Sequence, residues 1–189
     1  VKAELPHTTC LIGFAGSPWT VATYMVEGQS SKDYAKVKAW AYRDPCGFSS
    51  LIDLLVEATV KHLSEQILAG ADVVKLFDSW AGVLSPCEFE KWVIEPTREI
   101  CQRLKERHPH IMIIGFPKGA GVGYKDYINK TGIDAVSIDT SVQTKWAAQE
   151  LQSIKPVQGN LDPISLLVGG KQMIEQAKLI YDDFQNGPF

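Results

Sequence analysis

Gly13-Phe-Ala-Gly16-Ser17-Pro18-Trp-Thr-Val-Ala-Thr-Tyr24-Met-Val-Glu-Gly28 joins an apolar, strand-like run (Cys10 to Phe14) to a short helix opened by Ser17 and Pro18 and closed by Gly28. Serine is a preferred N-cap, proline fits the first helical position, and glycine suits the residue after the last turn. Gly13 and Gly16 flank the bend, where side chains would crowd a ligand bound above the strand end. Tyr24 lies about two turns into this helix and reads as an exposed phenol.

The same strand-to-helix alternation recurs along the chain. Strand-like runs follow at Val73–Phe77, Ile111–Phe116, Ala135–Ile138 and, more weakly, Pro156–Gln158. Between them, Ser49 or Ser50 starts a helix to about Ala69, with an apolar arc of Leu51, Leu55, Ala58, Val60, Leu63 and Ile67. Ser85-Pro86-Cys87-Glu88 has the form of a capping box launching a helix toward Arg107, which Pro96 should kink or split. Shorter helices are expected at Tyr124–Lys130 and Thr144–Ser153. A last one opens at Asp162-Pro163 and runs to about Gln185, with Gly169-Gly170 as its weak point.

Strands alternating with helices imply parallel β-α units. The last three strand runs begin about 22 residues apart, which suits the compact repeats of a β/α barrel. A complete (β/α)8 TIM-type barrel needs eight units and about 250 residues. Only five are readable in these 189 residues, so the expectation is an α/β, incomplete barrel in a single domain. The start at Val1 and the end at Gly187-Pro188-Phe189 suggest an internal piece of a longer protein.

With 45% apolar and 22% charged residues the composition is that of a globular protein, and a net charge of −3 gives no global reason to expect nucleic acid or an anionic membrane as partner. No run reaches the length of a membrane-spanning helix. Cys10, Cys46, Cys87 and Cys101 show no C-x-x-C spacing and read as reduced, mostly buried thiols.

Functional groups of a β/α barrel sit at the C-terminal ends of its strands. That selects Gly13–Ser17, Asp78-Ser79, Pro117-Lys118, Asp139-Thr140 and Gly159-Asn160. Alternation gives Lys75, Phe77 and Ser79 one facing, with Leu76 and Asp78 on the other. With Ser79 at the barrel mouth, Phe77 lines the cavity and Lys75 lies deeper. Asp78 then reads most simply as a cap or a hydrogen-bond partner behind the site. Gly115 to Gly123 lacks the order of a phosphate-binding loop; its glycines suit a backbone passing close to a flat ligand, with Lys118 near that ligand's carboxylates. Asn160 is a candidate hydrogen-bond partner of a ligand, and Asp162 is the N-cap of the next helix. The four histidines form no metal pattern; His62, near the edge of an apolar arc, reads as a partly buried structural residue.

Three segments together resemble the uroporphyrinogen decarboxylase family: Pro18-Trp-Thr20…Tyr24-Met-Val-Glu-Gly28, Phe77-Asp-Ser-Trp-Ala-Gly82, and Gln158-Gly-Asn-Leu-Asp-Pro163. The resemblance implies a β/α barrel, a homodimer, a cytoplasmic location, and removal of carbon dioxide from the four acetate side chains of uroporphyrinogen to give coproporphyrinogen, without a cofactor. It assigns substrate contacts to Tyr24 and Ser79, with Phe77 as a cavity wall. It places the family's essential carboxylate and arginine pair before Val1 and a substrate-binding histidine after Phe189. No catalytic residue is therefore assigned within this segment, and no metal site. The sequence departs from the family pattern at Gln29-Ser30-Ser31, where glycines are usual, and at Asp139-Thr140-Ser141, where D-W-T is usual. A cobalamin-dependent methyltransferase of the same barrel type, which would carry a His/Cys zinc site, and a non-catalytic tetrapyrrole-binding relative are the competing readings.

Overall fold

The computed structural model describes residues 1–29 and 31–189, so the middle of the expected Gln29-Ser30-Ser31 loop lies outside the described residues. Strands β1 (Ile12–Gly16), β2 (Val73–Asp78), β3 (Met112–Pro117), β4 (Ala135–Ser137) and β5 (Val157–Gln158) form one sheet in chain order, every pair parallel. Helices α1 (Pro18–Glu27), α2 (Ala35–Arg43) and α3 (Pro45–Leu68) connect β1 to β2. A continuous run of α4 (Pro86–Phe89), a π turn (Glu90–Ile94) and α5 (Glu95–Arg107) connects β2 to β3. Helix α6 (Tyr124–Thr131) precedes β4, α7 (Thr144–Glu150) precedes β5, and α8 (Pro163–Val168) and α9 (Gly170–Asp183) follow it.

A doubly wound sheet reverses its strand order part-way and takes helices on both faces. This one never reverses, as in a barrel wall. The side chains show the roll directly. Lys75 on β2 and Gln158 on β5 are three strands apart, about 14 Å in a flat sheet, yet Lys75 Nζ donates to Gln158 Oε1 at 2.7 Å. Two side chains meet at that distance only across a concave face.

Alternation sets the two faces. On β2, Val74, Leu76 and Asp78 are fully buried while Val73, Lys75 and Phe77 are half-buried. The outward positions Val74, Leu76, Ile113 and Val136 pack under the helices with Trp19, Phe48, Leu63, Trp92, Ile100 and Leu104, forming the hydrophobic core. Phe48 anchors it, with ring centroids 6.0 Å from Trp19, 5.5 Å from Trp40 and 4.8 Å from Trp92. The inward face carries Phe14, Lys75, Phe77 and Phe116.

Several local expectations are corrected. Helix α3 starts at Pro45, not Ser49 or Ser50, because Asp44 accepts the Gly47 N–H at 2.9 Å and proline needs no donor at the first position. Its buried face is turned toward Phe48, Ile52, Val56 and Thr59, leaving Ala58 exposed. Ser85 makes no side-chain cap, and Glu88 instead accepts Trp92 Nε1–H at 2.5 Å. Pro96 does not split its helix in two, since the helical run is contiguous from Pro86 to Arg107. The preceding turn widens to π geometry, which accommodates a residue that cannot donate to the carbonyl one turn back. The last helix does break where expected, at Gly169 with φ 70°. Of the cysteines only Cys101 is buried, and burial raises its thiol to about 12; the other three are exposed.

Candidate active site

The N-terminus of α1 is tied to the end of β2. Ser17 N–H donates to Phe77 O at 2.9 Å, extending the ladder past β1, and Pro18 occupies the first helical position as expected. Ser17 makes no cap hydrogen bond; its buried Oγ has no partner among the described residues. Gly28 closes the helix in the left-handed region (φ 71°), as the sequence predicts. Gly13 has a different reason from the one its position suggests. A Cβ there would meet Gln66 Oε1 at 2.5 Å on the helix-covered side, so Gly13 makes room for α3 and not for a ligand.

Tyr24 is 54% exposed, and its ring meets Trp80 edge-on with centroids 6.3 Å apart. Trp80 also contacts Tyr34 at 5.1 Å, and its carbonyl accepts Trp19 Nε1–H at 3.0 Å. The loop after β2 is thereby clamped against α1, bringing Tyr24 beside the residue that follows Ser79. Ser79 itself is the first residue beyond β2 and is half-buried. Glu27, which no local pattern singles out, has a structural role. Its Oε1 accepts the N–H groups of Lys36 and Val37 at 2.9 and 3.1 Å, capping α2. Tyr34, at the N-cap position with φ 53°, supplies no side-chain cap there.

Asp78 points away from the cavity, as alternation predicts. It is fully buried and accepts the Thr20 hydroxyl at 2.6 Å, while Thr20 Oγ1 accepts Trp80 N–H at 3.3 Å. Burial raises its carboxyl to about 7, against a smaller lowering by the Thr20 hydrogen bond. Asp78 is a structural partner behind the site.

Phe77 lies on the inner wall. Its ring is edge-on to Phe14 and to Phe116, each with centroids 5.8 Å away, so three neighbouring strands present a continuous aromatic surface. Beneath it, Lys75 Nζ sits 4.7 Å from the Phe77 centroid and 5.2 Å from that of Phe116. Gln158 Oε1 accepts from Lys75 and also from Ser137 Oγ, the latter at 2.6 Å.

The loops above the wall are locked by Asp139. Its carboxylate accepts Gly119 N–H at 2.7 Å, Tyr124 Oη–H at 2.9 Å, Ser141 N–H at 2.9 Å and Ser141 Oγ–H at 2.5 Å. Burial pushes its carboxyl up, but the Ser141 and Gly119 hydrogen bonds and then Tyr124 outweigh this and hold it below the usual range. Ser141 thus holds a loop in place in a segment where the family pattern has a different sequence. The Asn160 Nδ2 group is spent the same way: it donates to Asp139 O and Val142 O, both at 2.8 Å. Asp162 caps α8 through Ile164 N–H at 2.7 Å, as expected.

Gly82 and Gly119 bring the second and third loops into backbone contact; a Cβ on Gly82 would come 2.4 Å from Gly119 O. Gly115 faces outward under Tyr127, not toward a ligand. Lys118 is exposed and lines a cavity of about 220 Å³ with Phe116, Ile138, Asp139, Thr140, Asn160 and Leu161. His62 is exposed, not part of the core, and contacts Gln66 at 2.7 Å along the free edge of β1.

The aromatic inner wall and the rim of hydroxyls and amides over a rolled parallel sheet can be set against known proteins. The family model for uroporphyrinogen decarboxylase (URO-D) matches residues 1–187. This chain belongs to the uroporphyrinogen decarboxylase family. It is 50% identical over 188 residues to a uroporphyrinogen decarboxylase of Novosphingobium aromaticivorans, covering 100% of this chain and 55% of that protein. Proteins of the same name from Rhodospirillum rubrum (51% over 189 residues) and Rhizorhabdus wittichii (52% over 188) are matched over 100% of this chain and 54% and 55% of their own lengths. The chain thus spans about 55% of the curated relatives it matches. The rolled five-strand wall is consistent with part of the TIM barrel of this uroporphyrinogen decarboxylase family. Among its described helices none is long and apolar enough to cross a membrane.

Proposed function

We propose that this chain is the central, substrate-binding wall of a uroporphyrinogen decarboxylase, five strands of a larger barrel. The observation that carries the reading is the Phe14–Phe77–Phe116 surface, with Ser79 directly after β2 and Tyr24 against the neighbouring Trp80: an apolar wall with hydroxyls near the strand ends suits a large ring carrying acidic side chains. In this reading Phe77 packs against the macrocycle, while the Tyr24 and Ser79 hydroxyls orient its carboxylates or leaving group.

The reaction requires no electron sink beyond the substrate. A proton adds to the pyrrole carbon bearing an acetate arm. The electron pair of the arm's C–CO2 bond then flows into the ring as carbon dioxide departs. A second proton converts the resulting methylene to a methyl group, and the first proton is lost from the ring. The net change at each arm is CH2CO2⁻ plus H⁺ to CH3 plus CO2. Catalysis therefore lies in holding the ring, excluding water and stabilising transient positive charge. The carboxylate and arginine pair that the family resemblance assigns to charge stabilisation and carboxylate binding match no residue of these 189.

A homodimer and a cytoplasmic location accompany this reading. Both are what the resemblance to the uroporphyrinogen decarboxylase family implies. The test is incubation of the full-length protein with uroporphyrinogen III, followed by chromatography of the products. Appearance of coproporphyrinogen with intermediate carboxylate numbers is expected. A substrate recovered intact would remove the reading.

A further inference from the structure

Lys75 has no part in the reading above, yet it occupies the middle of the inner wall. A lysine turned into a partly apolar interior is costly unless its charge is answered. The answer here is incomplete. Nζ donates to Gln158 Oε1 and rests against the faces of Phe77 and Phe116, but among the described residues no carboxylate pairs with it. An ammonium has three donors, and two of these find no acceptor among the described residues. Burial holds its pKa below the usual lysine range, in keeping with a charge short of partners.

Its position is equally specific. Register puts Gly16, Phe77 and Phe116 on one level across β1, β2 and β3, while Ser137 faces Gln158 across β4 and β5. Lys75 begins one inward position below that level, paired with Phe14 and Ile114, and reaches up across the concave face. The ammonium therefore lies against the aromatic surface, at the level of Phe77, Phe116 and Gln158. Gln158 Oε1 is fixed from the other side by Ser137, so it orients the lysine without neutralising it.

We infer that Lys75 is a substrate-binding and specificity-determining residue that receives a carboxylate hanging inward from a ring seated on Phe77 and Phe116. The carboxylate takes the two open donor positions and Gln158 keeps the third. The ligand class is a polycarboxylate carried on a large ring of linked pyrroles. This rests on the decarboxylase reading for the identity of the ring. A cation opposes charge building on the reacting pyrrole, so Lys75 holds a spectator arm, and its signature belongs to binding and not to turnover.

The experiment uses the full-length protein and its Lys75→Met, Lys75→Gln and Lys75→Arg variants. Uroporphyrin, a non-reacting octacarboxylate, is titrated by tryptophan quenching at several salt concentrations, alongside steady-state decarboxylation of uroporphyrinogen. Loss of a charged hydrogen-bond partner predicts that Lys75→Met raises both the uroporphyrin Kd and KM by about 10-fold or more. In the same variant kcat should stay within about threefold, the salt dependence of Kd should weaken, and Lys75→Arg should recover most of the affinity. A Kd within about twofold of the parent would overturn the inference, as would a loss confined to kcat that arginine does not restore. Should Lys75→Met not fold, Lys75→Gln is judged by the same Kd criterion. Lys75-dependent uroporphyrin binding by a protein that decarboxylates nothing would retain this site and sink the decarboxylase reading. A parent that decarboxylates with no dependence on Lys75 would do the reverse.

Discussion

The Thr20 hydroxyl donates to the buried carboxylate of Asp78 at 2.6 Å, joining the first turn of α1 to the last residue of β2. Tyr24 lies four residues along the helix from Thr20 and Ser79 directly follows Asp78, so this hydrogen bond, with those from Ser17 N–H to Phe77 O and from Trp19 Nε1–H to Trp80 O, sets their relative position. The Thr20→Val variant leaves Asp78 and Trp80 N–H without their partner. An unsatisfied buried group predicts a loss of about 1–3 kcal/mol in chemical denaturation of the full-length protein.

Asp78 also makes stability depend on pH. Its folded-state pKa, raised by burial to about 7, exceeds the unfolded value of 3.8, so the native state holds the proton more tightly. The stabilisation is complete below pH 3.8 and is lost as pH rises through about 7, a change of order 4 kcal/mol if Asp78 ionises alone. Asp78→Asn removes the titration. Denaturation at pH 5.5 and pH 8 should differ less for the variant than for the parent, and equal pH dependence in the two would show that Asp78 does not carry it.

Tyr24→Phe keeps the ring against Trp80 and removes only an exposed hydroxyl. Stability should stay within about 0.5 kcal/mol of the parent. On the proposed decarboxylase reading, uroporphyrinogen turnover by the full-length protein should fall by about 10-fold or more. Unchanged turnover would leave the hydroxyl without a role.

Gly115→Ala tests the fit beneath the sheet. Its Cβ would sit 2.6 Å from the ring of Tyr127, which is fully buried and cannot swing aside. Overpacking of this kind costs about 1–3 kcal/mol, read as a lowered melting temperature. Turnover per folded molecule should change little, because the clash is on the helix side of the strand.

Asp139→Ala should loosen the rim without opening the core, since its hydrogen bonds go to Gly119, Tyr124 and Ser141 in the loops and helix above the sheet. Hydrogen exchange should rise at Gly119 and Ser141 while Val74 and Ile113 remain protected. Because Asp139 has a lowered pKa, its contribution is present above the ordinary aspartate range and fades as pH falls through the folded value, opposite in sign to that of Asp78.

The strand-helix order, the inward facing of Phe77 and Lys75, the glycine cap of α1 and the break at Gly169 are all legible from local chemistry. They depend on alternation, capping and φ > 0, which a few neighbouring residues decide. Roles that escape such patterns need a partner brought near by the fold. Gly13 owes its identity to Gln66, Glu27 to the N-terminus of α2, Asn160 to the carbonyls of Asp139 and Val142, and Glu88 to Trp92 in place of a cap. Residue pattern alone thus sets the kind of sheet and the side chains offered to the cavity. The folded arrangement settles which of them are spent on holding loops together, and that Lys75 meets Gln158 with no acid beside it among the described residues. Rolling the sheet brings β2 and β5 together across a distance no local pattern encodes.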